Sequence, residues 1–255
     1  MRVLVVGDIH GLLPQFAAWL ERAHEKHRID AAIQVGDFGF FRKQFRELFE
    51  LDVRFAVPVH AIDGNHEDHH WLEQQLRDGR VAQWREELNL IYQPRGSLAQ
   101  FGATTVGFLG GALHVDQPQQ VHRASQTSNY IMRHQQEGAV ELFNRVRPAL
   151  LVTHSCPAGI GIGLQGNPEM AHGVATHVVG AGFDPGPPED CGDTELTRLW
   201  TALEYRPRAW VFGHFHVVHA TRVEDTQFAC PGAISRRGGI ETLLIWDTER
   251  QEFVD

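Results

Sequence analysis

Five short apolar runs in this 255-residue chain each stop at residues able to hold a metal ion. Val3-Leu4-Val5-Val6 ends in Gly7-Asp8-Ile9-His10, and Ala31-Ala32-Ile33-Gln34-Val35 ends in Gly36-Asp37-Phe38-Gly39. Val57-Pro58-Val59-His60-Ala61-Ile62 ends in Asp63-Gly64-Asn65-His66-Glu67. Later, Pro148-Ala149-Leu150-Leu151-Val152 ends in Thr153-His154, and Ala209-Trp210-Val211-Phe212 ends in Gly213-His214-Phe215-His216. A continuous β-branched run reads as a strand covered on both faces. Glycine beside the polar residue lets the backbone turn sharply. The pattern predicts an α/β architecture, in which ligands bind where the loops at strand carboxyl ends converge.

Between the strands the period changes to that of a helix. Leu12, Leu13, Phe16, Ala17, Trp19, Leu20 and Ala23 share one face, with Pro14 in the permissive first turn. Phe45, Leu48 and Phe49 mark a second helix, and Trp71, Leu72, Gln75 and Leu76 a third. Leu90-Ile91-Tyr92 and residues 104–109 read as strands separated by Pro94 and Gly96, a spacing that suits an antiparallel hairpin. Residues 112–135 are polar and irregular, and 137–146 are expected to be helical. Asp193 is expected to cap a helix with Leu196, Leu199, Trp200 and Leu203 on one face. Residues 227–230 and 242–246 read as two late strands. The glycine- and proline-rich stretch 157–192 is expected to be an irregular functional loop. With no repeat and no linker in view, residues 1–255 read as a single domain.

Composition narrows the function classes. A formal net charge of −9 repels polyanions at long range, so long nucleic acid is not an expected partner. Three cysteines are too few for a disulfide framework, and the N-terminal apolar run is too short for a secretory signal. A reducing, cytoplasmic setting is the expectation. No stretch approaches the roughly 18 apolar residues of a membrane span. Of the sixteen histidines, His24, His27, His69, His70, His134 and His219 sit in polar contexts and are expected at the surface. His172 and His177 would line a pocket if the 157–192 segment folds over it.

Asp8, His10, Asp37, Asn65, His154, His214 and His216 form a mixed carboxylate, imidazole and amide set without thiolate. Such a set suits manganese, iron or zinc. Seven donors are too many for one tetrahedral centre with an open position. They suit two centres sharing a carboxylate. Two cations roughly 3.5–4 Å apart stabilise the attacking and leaving oxygens of an in-line displacement at phosphorus.

The five motifs, taken in order, resemble those of the calcineurin-like metallophosphoesterases. The resemblance covers residues 7 to 216. It implies a four-layer α/β/β/α sandwich with mixed sheets and a site at the sheet tops. It implies two divalent metal ions, manganese first, with iron or zinc as alternatives. Asp8, His10 and His216 would hold one ion, and Asn65, His154 and His214 the other. Asp37 would bridge them, and His66 would stay off the metals as the catalytic residue facing substrate. The implied reaction is hydrolysis of a small phosphorylated substrate, a phosphodiester, phosphomonoester or nucleotide, by a metal-bridging hydroxide. Protein phosphatases of the family continue the second motif into an Asp-Arg pair, whereas Gly36-Asp37 here is followed by Phe38-Gly39-Phe40-Phe41. That departure removes the expected carboxylate partner of His66. Gly110-Gly111-Ala112 with His114, Asp116 and Arg123 is similar to a loop of the broader phosphoesterase branch, which makes His114 and Arg123 candidate substrate ligands. A non-catalytic metal-binding scaffold of the same fold, and a serine/threonine protein phosphatase, remain as alternatives.

Overall fold

The computed structural model describes residues 1–122, 127–164, 166–234 and 242–254. Arg123 lies outside the described residues. The first third alternates strictly: β1 (Arg2–Val6), α1 (Leu13–His27), β2 (Ala31–Gln34), α2 (Arg42–Glu50), β3 (Val59–Ala61) and α3 (His69–Arg77). A short α4 (Val81–Gln83) runs through a π turn (Trp84–Leu88) into β4 (Leu90–Tyr92). Then come β5 (Ser97–Phe101), β6 (Thr104–Leu109), the two-residue strands β7 (Val121–His122) and β8 (Thr127–Ser128), α5 (Arg133–Val146) and β9 (Leu150–Thr153). The chain closes with α6 (Pro168–Gly173), α7 (Thr194–Ala202), β10 (Ala209–Val211), β11 (Val218–Val223), β12 (Thr226–Pro231), β13 (Leu244–Asp247) and β14 (Glu252–Val254).

Two six-stranded mixed sheets result, ordered β14-β13-β1-β2-β3-β4 and β11-β12-β10-β9-β6-β5. Successive side chains of a strand point to opposite faces, and β1 shows what that builds. Val3 and Val5 meet Val106, Leu150, Val152 and Val211 of the other sheet in a shared inner core. Leu4 and Val6 face outward onto Leu13, Phe16 and Leu20 of α1. The second sheet does the same on its outer side, where Leu151, Trp210 and Phe228 pack with Phe143 of α5 and with Leu196 and Leu199 of α7. The layers are therefore α/β/β/α, as expected. β1, β2 and β3 run parallel, as do β9 and β10, so each sheet delivers its candidate ligands at one edge.

The hairpin is not where the spacing put it. β4 pairs parallel with β3 in the first sheet, and the antiparallel hairpin is β5 with β6 in the second. Residues 93–96 carry the chain between sheets, so Pro94 and Gly96 mark a crossing and Gly102 (φ +52°) turns the hairpin. The 157–192 segment is less irregular than its composition suggests. Asn167 caps α6 by accepting the Met170 N–H at 3.0 Å, and helical turns continue through residues 174–181. Asp193 caps α7 as expected, accepting the Glu195 N–H at 2.9 Å and the Leu196 N–H at 3.3 Å. His69 is not at the surface: it is 4 % exposed, and burial pushes its imidazole down to about 4. Among the described residues no helix is long and apolar enough to cross a membrane.

Candidate metal centre

All seven candidate ligands read from the sequence meet in one place, where the carboxyl edges of the two sheets face each other. Donor atoms of Asp8, His10, Asp37 and His216 lie within 4.8 Å of one another. His216 Nε2 is 3.1 Å from Asp8 Oδ2, and the Nε2 atoms of His10 and His216 face each other at 2.9 Å. Beside them, His154 Nε2 lies 3.0 Å from Asn65 Oδ1 and 3.3 Å from Asp37 Oδ1, with the His214 ring 5.1 Å from that of His154. Asp37 belongs to both groups. Its Oδ1 faces His154, and its Oδ2 faces His10 at 3.8 Å.

The backbone is bent to achieve this. His10, Asp37, His214 and His216 all have φ between +49° and +69°, a region sparsely populated by non-glycine residues. Such conformations persist where the surroundings over-determine them. Asp37 accepts the N–H groups of Ile9 and His10 at its carbonyl, and the Asp8 carboxylate accepts the His214 N–H at 3.1 Å. Two glycines are required by close approach. A Cβ on Gly64 would stand 2.1 Å from Asp37 Oδ1, and one on Gly213 would stand 2.2 Å from Asp8 Oδ1.

The electrostatics fit divalent cations. Asp8 and Asp37 are buried, and among the described residues no lysine or arginine lies within 4 Å of either. Buried carboxylates persist when paired, hydrogen-bonded or bound to a metal. Burial alone would raise the Asp37 pKa, yet the imidazole of His154 holds it well below the usual carboxylate range. His154 is correspondingly raised, because Asp37 overrides its burial. Burial, reinforced by repulsion from His154, drives His214 well below the ordinary imidazole value and so keeps it neutral, the form that ligates metal.

A family model for calcineurin-like phosphoesterases matches residues 1–218, the stretch that carries all five motifs. The chain belongs to the calcineurin-like phosphoesterase family. The family is described as one of phosphoesterases and uses a divalent metal centre. Among curated relatives, the chain is 27% identical over 128 residues to the lariat debranching enzyme of Saccharomyces cerevisiae. That stretch is 44% of this chain and 30% of the yeast enzyme, so the match spans less than a third of the relative's length. Among solved structures, it superposes with TM-score 0.56 on a Staphylococcus aureus protein provisionally assigned as a 5′-nucleotidase. Identity there is 16%, covering 99% of this chain and 52% of the other. It superposes with TM-score 0.51 on GAP50, the anchor in the inner membrane complex of Plasmodium, at 12% identity, covering all of this chain and 87% of that one. At such identities the likeness is one of fold.

Around the candidate metal centre, three groups have no role assigned from sequence. Glu67, buried beside the loop after β2, accepts the N–H groups of Phe38 (2.8 Å), Gly39 (3.1 Å) and Phe40 (2.6 Å). It clamps the loop that carries Asp37. Asp63 accepts a two-pronged bond from Arg95 (2.9 and 2.7 Å) and a third from the Tyr92 hydroxyl, and anchors the loop that carries Asn65. Glu67 and Asp63 stand inside the third motif, where a carboxylate in a glycine-rich turn was the available signal; Arg95 carried none. The third group is Asp116, whose Oδ2 is 3.0 Å from His66 Nε2. His66 therefore has a carboxylate partner after all, from a loop far from the second motif.

His66 lines a cleft of about 430 Å³ over the centre, with Asp116, Phe215 and His216. The opposite wall comes from the 157–192 segment: Met170 and His172 of α6, and His177 beyond it. His114 is 1 % exposed and lies behind Asn65, accepting its amide N–H at Nδ1 (2.8 Å), not among the cleft residues.

Proposed function

We propose that this protein hydrolyses phosphate esters of small molecules, with a phosphodiester or nucleotide substrate preferred, by means of two divalent cations. The observation that carries the reading is Asp37, whose two carboxylate oxygens face two separate donor groups. Asp8, His10 and His216 would hold one cation, and Asn65, His154 and His214 the other. Manganese is the first candidate, with iron or zinc as alternatives. When bound, such cations acidify water and take up charge on phosphoryl oxygens.

The chain's own residues supply the rest. Asp37 gives the centre a fixed spacing, because its loop is held by Glu67 on one side and by the Asp37 carbonyl bonds on the other. His66 carries a backbone N–H bonded to Asp37 Oδ1 (2.8 Å), which ties it to the centre while its ring faces the cleft. From there, in its doubly protonated form, it can give one ring proton to the departing oxygen as the oxygen of water bonds to phosphorus and the ester P–O bond breaks; the released alcohol keeps that proton, and the proton lost by the attacking water restores the ring. The absence of the Asp-Arg continuation, and the name of the yeast relative, favour a non-protein ester.

The test is a panel of aryl and nucleotide mono- and diesters with manganese, iron and zinc, alongside metal analysis. Metal-dependent turnover that chelation abolishes is expected. Two bound ions with no turnover of any ester would instead favour a scaffold role.

A further inference from the structure

Asp116 sits on the loop after β6, with its Oδ2 3.0 Å from His66 Nε2. We propose that Asp116 is the positioning residue of His66, the carboxylate that sets which ring nitrogen carries hydrogen and where the ring points. The proposal rests on the reading of His66 as donor to the departing oxygen.

Three observations support it. A carboxylate only accepts, so the contact places a hydrogen on His66 Nε2 and leaves Nδ1 as the nitrogen that would meet the departing oxygen. The pair is also too open to serve mainly as a fold constraint: the Asp116 side chain is 54% exposed and that of His66 32%. Exposed pairs of this kind contribute little to stability. Finally, the second motif cannot reach His66 with a carboxylate of its own. Phe38 and Phe40 are fully buried and stack among Phe45 and Trp84, so the side chains after Asp37 point into the core.

Asp116 is held well enough to act this way. His114, two residues earlier, is buried and receives the Asn65 amide N–H, while its own backbone N–H goes to Gln119 Oε1 at 2.9 Å. Leu113 N–H is held by Asp193 Oδ2 at 3.3 Å, which roots the loop at the start of α7. The Asn65–His114 contact thus ties this loop to the one that carries His66.

The test uses the metal-loaded full chain and the variants Asp116→Asn, Asp116→Ala and Asp116→Glu. Each is assayed on an aryl diester releasing 4-nitrophenolate, which departs without a proton, and on an alkyl diester, whose alkoxide needs one. The expected result is that Asn and Ala lower kcat on the alkyl diester about 10–100-fold, a share of general-acid catalysis, and change the aryl rate less than about threefold. KM and metal content should stay unchanged, and Glu should restore much of the loss. Independently of activity, long-range proton–nitrogen spectra of metal-free protein should show the Nε2–H form of His66 in wild type and lose that preference in Asp116→Ala, with His66→Gln identifying the signal. Equal losses on both esters, a change in KM alone, a fall in bound metal or an unaltered His66 tautomer would each overturn the proposal. Wild-type protein that holds metal but turns over no ester would defeat the catalytic reading of His66 instead, and the spectra would still report on the pair.

Discussion

The floor and the far wall of the cleft are built by opposite means. The floor is assembled from the ends of parallel strands in two facing sheets, with Asp8, Asp37, Asn65 and His154 buried and each loop bonded to another. The wall is a six-residue helix with exposed turns behind it, carrying Met170, His172 and His177. Positioning of charged groups near cations tolerates little error, so the floor accepts strained backbone and close glycines. Selecting a substrate tolerates adjustment, and the wall sits on the loop type that most easily varies.

The sharpest way to break this contrast is Asp37→Asn. It removes charge between the two donor groups, and a loss of at least about 10³-fold in kcat, with bound metal falling from two to one or fewer, is expected if a single group serves both cations. Near-normal rates would refute the shared role. Gly64→Ala should come next. Its Cβ would collide with Asp37 Oδ1 and His154, so metal binding should fail and stability should drop by about 1–3 kcal/mol, read as a lowered Tm of metal-free protein. Glu67→Gln should weaken metal affinity about 10–100-fold, as loss of a partner behind the ligands does elsewhere, and calorimetric titration with manganese would measure it.

Acidity gives a further probe of the floor. In the metal-free protein, the Asp37 carboxyl is lowered and the His154 imidazole raised. Their pairing stabilises the fold above the ordinary carboxylate value, and this contribution is lost as pH rises through the raised imidazole value. A cation must displace the His154 proton, so its affinity should run the other way, rising about tenfold per pH unit for one proton released. Titrations in buffers of different ionisation enthalpy would detect that proton; an affinity flat across neutral pH would count against His154 as a ligand. The wall should give the smallest effects. Met170→Ala and His172→Ala should shift KM a few-fold and stability by about 0.5 kcal/mol or less, leaving metal content intact. A wall variant that loses metal would erase the distinction between the two regions.

Much of the floor was legible from the chain alone. A buried parallel strand is a continuous apolar run, and the residues directly after it are the ones it presents at the sheet edge; hence Asp8, Asp37, Asn65, His154 and His214 could be named together. The hairpin was misplaced because Leu90-Ile91-Tyr92 has the composition of either sheet, and only its pairing with β3 settles which one it joins. His69 looked like a surface residue because its polar neighbours in sequence conceal the Asp63 and Arg95 that pack near it. The carboxylate facing His66 was out of reach for the same reason: 50 residues separate the pair in sequence.

Local pattern therefore decided the strand–loop–helix alternation and the identity of the donors, because those depend on the period and chemistry of adjacent residues. Only the tertiary structure decided that Asp37 faces two donor groups, that Glu67 and Asp63 hold the loops from behind, and that Asp116 meets His66. Those facts depend on which strand ends and loops share an edge, and that is settled by two sheets and two helical layers burying their apolar faces at once.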